Sequence, residues 1–398
     1  MDRRTWTIVA GAFVILCMCM GVRQSYGLFV APMAAEVGHS RELIGFGFAL
    51  QNLLWGFFSA IAGAYADRFG PARVVAVGGV VYGGGLLLTA WSHHPVSLVV
   101  GNALVGISMG AVAFAVVLGA VARAAPASRR ATAMGIASTG GSFGQFAVVP
   151  LSQLLIDAQG WVMALAVLSV ASLVMVPLAA TLRRPPATAA AAGRPISQSL
   201  AEAVREASGH RGFWLLTVGF FVCGFHLAFV SLYLPAYLAD KALPGWLAAA
   251  ALALVGLFNA FGTLVWGRLG DRYAKNHLLA LVYTLRSFVF LGFLAFPVTE
   301  ESVLVFAAAL GLLWLGTIPL TSGLVAAIFG PVYLSTLYGI VFIGHQVGGF
   351  VSSWMGGWVY DRFGSFDAVW WCSVVLGFVA ALLHMPVHER PVPRLQHA

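Results

Sequence analysis

The chain has 398 residues, of which 60% are hydrophobic and only 9% charged, with a mean hydropathy of +0.90. Soluble domains carry roughly 25% charged residues, so 22 Lys+Arg and 14 Asp+Glu cannot clothe a water-exposed surface of this size, and the soluble classes are excluded. The net charge of +8 would suit a nucleic acid only if it were gathered on one solvated face; the basic residues lie instead between apolar runs, so the expected environment is a lipid bilayer and no nucleic-acid partner is expected. A bilayer core of about 30 Å takes roughly 20 apolar residues per helix. Twelve such runs are predicted as membrane-spanning helices, at 7–33, 43–66, 74–91, 96–122, 133–156, 161–182, 213–239, 246–266, 277–297, 302–329, 336–359 and 367–387. The first run follows Arg3 and Arg4 as a signal peptide would, but no small-x-small site precedes Arg23, so it is expected to remain a span.

The longest polar interval, 183–212, carries RRPP, an Ala-rich stretch and the weakly amphipathic SLAEAVREA. It divides six runs from six, which predicts an N-terminal bundle (1–182), a linker (183–212) with a short interfacial helix, and a C-terminal bundle (213–398). With both termini in the cytoplasm, 17 of the basic residues fall on that side, only Arg41, Lys241 and Arg362 fall outside, and Arg23 and Arg286 lie within the membrane. That asymmetry is the positive-inside pattern. Cys17, Cys19, Cys223 and Cys372 sit in apolar stretches with no metal-ligand or CxxC spacing, so they are read as core filling and no metal is expected. There is no P-loop, so no cofactor is expected and energy is expected from a gradient.

The two halves repeat each other in parallel. Gly21, Arg23 and Pro32 match Gly224, His226 and Pro235 at an offset of 203. GAYADRFGPAR after the second run matches GRLGDRYAKN after the eighth, placing Gly63, Asp67 and Arg68 on Gly267, Asp271 and Arg272 at an offset of 204. The same offset relates Gly135, Gly140, Gly144 and Asp157 to Gly339, Gly344, Gly348 and Asp361. Repeats of this kind build transporters.

The GxxxDRxGxxR loop and its degenerate copy resemble the signature of the major facilitator superfamily, and RRATAMGIASTGGSFGQ (129–145) resembles the fifth-span signature of its monocarboxylate transporters and their bacterial relatives, as does GVRQSYGLF in the first run. The resemblance covers the whole chain and implies an all-α fold of twelve transmembrane helices in two pseudo-symmetric six-helix bundles. It further implies a conformational latch on the cytoplasmic face formed by Gly63, Asp67, Arg68, Arg73, Asp271 and Arg272. Two positions depart from the monocarboxylate pattern: the motif opening the first span is reduced to Asp2 and Trp6, and the eighth-span arginine position is Thr263, with Asn259 one turn earlier.

An ionisable group at membrane depth costs roughly 2.5–3.5 kcal/mol on insertion scales, and no Asp or Glu falls inside any run, Asp367 standing at the outer edge of the last. Arg23 therefore has three readings: snorkelling towards an interface, bonding to carbonyls of a neighbouring helix, or pairing with an anionic substrate. Arg286, on a run that is peripheral in the resembled architecture, is read as an anchor. With no carboxylate available, His226 is the leading proton carrier and His345 the second. If the first run of each half lines a central cavity, Arg23 and His226 converge on it. Tyr26, Asn52, Ser142, Gln145, Tyr233, Asn259, Trp314 and Thr321 are candidate substrate-binding groups. The glycine clusters of the fifth and eleventh runs suit close helix packing.

The expected function is secondary active transport of a small organic anion, foremost a monocarboxylate, by alternating access with proton symport or anion exchange, in a monomer of a bacterial inner membrane. The alternative is a drug or metabolite exporter of the same fold. Exporters of that kind resemble one another in a fifth-span motif ending in Gly-Pro, where this chain reads Val148, Val149, Pro150. A non-transporting sensor is the remote alternative, since only the linker and a short tail could signal, and no catalytic constellation suggests an enzyme. The charge asymmetry predicts that in intact cells a cysteine at Ala190 stays unreactive to an impermeant reagent while one at Ser302 reacts; the opposite pattern inverts the topology.

Overall fold

The computed structural model describes residues 1–92, 94–126, 129–183, 198–330 and 333–396, and all regular secondary structure in them is helical. In chain order come α1 (Arg3–Gln24), α2 (Gly27–Val37), α3 (Arg41–Phe69), α4 (Pro71–Ala90), α5 (Pro95–Val112), α6 (Phe114–Ala124), α7 (Arg130–Ser172), α8 (Met175–Ala179) and α9 (Leu200–Ser208). The second half contributes α10 (Arg211–Asp240), α11 (Gly245–Gly270), α12 (Lys275–Ala295), α13 (Glu300–Leu313), α14 (Thr317–Phe329), α15 (Leu334–Phe363), α16 (Asp367–His384) and α17 (Pro393–Gln396). Most of the linker lies outside the described residues. Its described end is α9, opened by a capping box in which Ser199 Oγ accepts from Glu202 N and the Glu202 carboxylate accepts from Ser199 N. Those bonds from Ser199 hold the Glu202 carboxyl below its usual range.

Ten helices are long and apolar enough to cross a membrane. One of them, Ala133–Leu182, has 50 residues, about 75 Å at 1.5 Å per residue and too long for one crossing. It turns at Gly160, whose φ of 77° is one that glycine adopts without a Cβ penalty. The turn sends the chain back: Trp161 Nε1 donates to Glu36 at 2.8 Å, beyond the end of the first run, whereas Thr181 packs on Gly11 near its start. The eleventh run is helical as α15, although it is not among those ten.

Four runs are interrupted. The first breaks at Ser25–Tyr26 between α1 and α2, the sixth at Leu173–Val174 between α7 and α8, the fourth at Ala113, and the tenth at Trp314–Gly316. In the 204-residue register the last two breaks fall in the same turn of the two repeats.

The halves meet along three helix pairs, α3 with α15, α7 with α11 and α2 with α10. At the end away from the linker the seam is closed. Arg41 makes a two-pronged salt bridge to Asp240, 2.6 Å for each bond, and its guanidinium lies 3.6 Å from the centre of the Tyr360 ring. Asp361 accepts from the backbone N–H groups of Arg41 and Glu42 at 3.1 and 2.7 Å, an anion placed on a helix N-terminus. Tyr233 Oη, which donates within the second half to Ser353 O at 2.5 Å, lies against Gly45 of α3, where a Cβ would collide with it. A Cβ at Gly357 would fall on the Arg41 backbone carbonyl, so backbone meets backbone there.

The linker end is different. A Cβ built at Gly63, Gly135, Gly267 or Gly339 meets nothing within 4 Å, and these four are two repeat pairs. Backbone thus meets backbone across the seam at the far end, and these four glycines stand open at the linker end. Replacing Gly357 with Val should prise the far end apart; faster hydrogen exchange at 41–48 and 353–361, with exchange in α4 and α5 unchanged, is the expected signature.

Candidate functional site

Arg23 ends its helix half-buried, where the run breaks. Its Nη2 donates to Asn52 Oδ1, and its guanidinium carbon lies 5.0 and 5.2 Å from the ring centres of Phe48 and Trp55. Phe48, Asn52 and Trp55 follow i, i+4, i+7 spacing, so one stripe of α3 supplies all three contacts. Arg23 Nε has no acceptor among the described residues. The guanidinium therefore neither snorkels nor rests on carbonyls; it leans on a neutral amide and two aromatic faces.

The amide ties this cation to the other half. Gln346 Nε2 donates to Asn52 O at 2.9 Å, and Gln346 Oε1 lies 3.0 Å from His345 Nδ1. Trp55 packs edge-on to Phe342, with ring centres 5.6 Å apart, and Phe342 stacks on His345 at 5.3 Å. On the other seam Gln24 Nε2 donates to Gln145 Oε1 at 3.3 Å and Gln145 Nε2 donates to Leu252 O at 2.9 Å. Asn259 Nδ2 donates to Ser142 Oγ at 3.0 Å, while Asn259 Oδ1 accepts from Leu315 N at 3.0 Å, within the break of the tenth run. Of the expected binding groups, the structure thus brings Arg23 and Asn52 together on one seam and Gln145, Ser142 and Asn259 together on the other.

The sequence profile of the Major Facilitator Superfamily matches residues 12–318. The chain belongs to that family. It is 28% identical over 375 residues to monocarboxylate transporter 11 of Mus musculus, covering 91% of this chain and 83% of that one. It is 21% identical over 400 residues to the oxalate:formate antiporter of Oxalobacter formigenes, covering 98% and 94%. Its fold matches a crystal structure of a bacterial homolog to the human lysosomal transporter Spinster, inward-facing and unoccupied, with a TM-score of 0.75 at 14% identity, covering 96% and 97%. The family and these relatives are transporters of many-helix membrane type.

Other candidates in this facilitator lie elsewhere. Tyr26 is buried inside the first bundle, its hydroxyl accepting from Asn102 Nδ2 at 2.7 Å and its ring stacked on Phe48, so it props the Arg23 platform from behind. Tyr233 belongs to the far-end seam. Trp314 and Thr321 are buried, without a hydrogen-bond partner for Nε1 or Oγ1 among the described residues.

His226 does not converge with Arg23. Its Nε2 lies 2.8 Å from Ser373 O on α16 and its ring meets Phe290 of α12 at 4.9 Å, with no exposure at all. The reason is register. Cys19 beside Tyr82 and Cys223 beside Arg286 are the same pairing 204 residues apart, the first through the Cys19 carbonyl and the second through the Cys223 sulfur. In that register His226 stands on Val22, not Arg23. One residue is about 100° of helix rotation, enough to turn the imidazole into the second bundle's interior.

Of the expected latch, Gly63 has open space around it, Arg68 is exposed over the Phe69 ring at 5.2 Å, and Asp271 and Arg272 are exposed. Arg73 borders a crevice of about 400 Å³ between α3, α4 and α5, lined by Phe58, Tyr65 and Val77 among others. The Asp67 side chain is outside what is described.

Arg286 is fully buried, and its Nε and Nη2 donate to Leu313 O at 3.1 and 2.6 Å, with Nη2 also reaching Trp314 O. These carbonyls are freed by the break after α13, and a cation at a helix C-terminus suits the dipole. Sequence reading passed over Gln24, Trp55 and Phe342; the stripe Phe48–Asn52–Trp55 was the available signal, hidden because aromatics in an apolar run ordinarily read as core. Arg286→Leu should strand the two carbonyls at about 1–3 kcal/mol each, lowering the melting temperature in detergent, and Arg286→Lys should restore only part of the loss.

Proposed function

We propose that this facilitator carries a small organic anion, foremost a monocarboxylate, by alternating access, with Arg23 as the anion-binding cation. The observation that carries this reading is the state of that cation: a half-buried guanidinium at the seam of the halves, held among the described residues by one neutral amide, with an unused Nε and no acidic residue in the interior of any apolar run. A carboxylate supplies the missing charge and matches the fork geometry of Arg. The flanking rings of Phe48, Trp55 and Phe342 favour an anion with an apolar body over a doubly charged one, because a second carboxylate would be desolvated against them. The similarity to a monocarboxylate transporter and to an oxalate:formate antiporter supports the same class and leaves proton symport and anion exchange as the two modes.

The parted linker end gives the substrate its approach in this state, and the far end is the gate that opens in the other. Closure of the linker end would bring backbones together at Gly63, Gly135, Gly267 and Gly339, where space is now open. With the linker and both termini in the cytoplasm of a bacterial cell, that approach is from inside.

Binding of a monocarboxylate and of its neutral amide to purified wild type, Arg23→Lys and Arg23→Gln tests the reading. Wild type should prefer the carboxylate, Lys should keep a weakened preference, and Gln should lose about 2–5 kcal/mol of anion binding, the scale for truncating a desolvated charge pair. Equal affinity for both ligands in all three proteins would reject Arg23 as the anion site and turn the reading to an exporter of neutral or cationic compounds.

A further inference from the structure

The second buried guanidinium has its donors met but its charge unanswered. The carbonyls of Leu313 and Trp314 accept from Arg286 without neutralising it, and a buried charge without a counter-charge is costly. The remaining hydrogen-bond contact of Arg286 among the described residues is Nη1 to Cys223 Sγ at 3.5 Å, and its guanidinium lies 5.3 Å from the centre of the Tyr283 ring. Cys223 is fully buried, and its sulfur lies 3.2 Å from Thr317 Oγ1, a hydroxyl able to donate to it. Its neighbours on α10 pack on His345: the Phe220 ring lies 4.9 Å from the imidazole, and a Cβ at Gly224 would fall on the His345 carbonyl.

The tautomer of that imidazole follows from its neighbours. Asn52 O can only accept, so the Gln346 nitrogen is the group that faces it and the Gln346 oxygen is the group that faces His345. His345 Nδ1 must therefore carry the hydrogen, and Nε2 is left as the free base. The ring is held in place by Phe342 on one side and Phe220, at 4.9 Å, on another. The titratable and charged groups around Cys223 are Arg286 and, under its guanidinium, Tyr283 from α12, and His345 and Tyr338 from α15, whose rings both pack on Phe220; His226, further along α10, faces Ser373 O and Phe290 instead. Among these, a thiol ionises most readily, because phenols ordinarily require about pH 10.

We propose that Cys223 and His345, set against Arg286, form the site that takes up the coupling proton, and that Gln346 and Asn52 link its charge to the anion site at Arg23. This rests on the reading of the protein as an anion transporter. In the unloaded site the Cys223 thiolate neutralises Arg286 and His345 is neutral. One proton from water adds to the pair, giving thiol with neutral imidazole or thiolate with imidazolium; no other bond changes. The cluster then adds one positive charge to that of Arg23, and a monocarboxylate at Arg23 returns the total to its unloaded value, so proton and anion each favour the other's binding. From His345 the path is hydrogen-bonded through Gln346 and Asn52 to Arg23, and Cys223 stands at its other end between Phe220 and Gly224, on which His345 packs.

Two measurements decide it. In protein whose Cys17, Cys19 and Cys372 are alanine, thiolate absorbance at 240 nm should show one titrating thiolate between pH 5 and 9, shifted in midpoint by added pyruvate as the probe monocarboxylate and by His345→Gln, and lost in Cys223→Ser. In proteoliposomes a one-unit pH gradient drives about tenfold accumulation in a one-to-one symport; Cys223→Ser should abolish that accumulation while retaining pyruvate counterflow, and His226→Gln should leave it intact. A thiol that stays protonated across the range, or a Cys223→Ser protein that accumulates like wild type, overturns the proposal. If wild type itself neither binds nor exchanges pyruvate, the anion-transport reading fails in its choice of substrate, and the titration of Cys223 still decides whether the thiol–imidazole pair exists.

Discussion

Two arginines stand inside the apolar runs of this chain, and the only acid within their bounds, Asp367, stands at an edge. Every other feature of the polar interior answers that imbalance. A guanidinium cannot be deprotonated away as a lysine could, so each must find acceptors in the protein or wait for a partner. Arg286 has found them, by meeting the carbonyls that the break after α13 releases; the broken helix and the buried cation require each other. Arg23 has not, since a side-chain amide and two aromatic faces hold it in position without cancelling its charge.

The same polar groups join the halves. Asn52 holds Arg23 with its side chain and receives Gln346 with its backbone, and Asn259 holds the tenth-run break with its oxygen and Ser142 with its nitrogen. A rocking motion of one bundle on the other cannot leave either asparagine undisturbed, so the site that would bind the anion is built from the seam that would move. Glycine allows the motion. Where the seam is closed, glycines let backbone approach backbone; at the linker end the repeat pairs Gly63/Gly267 and Gly135/Gly339 have space around them.

Much of this was legible in the chain alone. Helix positions followed from apolar run length, because a bilayer leaves no other way to satisfy the backbone, and the 204-residue repeat paired the latch loops and the glycine runs. Arg23 was singled out by charge counting. The errors arose where a one-residue choice mattered. An offset of 203 matched Gly21, Arg23 and Pro32 to Gly224, His226 and Pro235 and so placed His226 opposite Arg23, whereas the packing of Cys19 with Tyr82 and of Cys223 with Arg286 follows 204 and turns His226 inward. Cys223 read as filling because spacing along a chain says nothing about a guanidinium arriving from a helix some sixty residues on.

The sequence by itself determined the membrane setting, the helical class, the twofold internal repeat and the presence of unpaired cations, because these depend on composition and on periodicity along one chain. Tertiary structure alone decided which of those cations is satisfied. Whether a buried guanidinium meets a freed carbonyl, an amide or a thiol depends on the rotation of each helix about its axis and on where its neighbours break, and those are set by the packing of all the helices together.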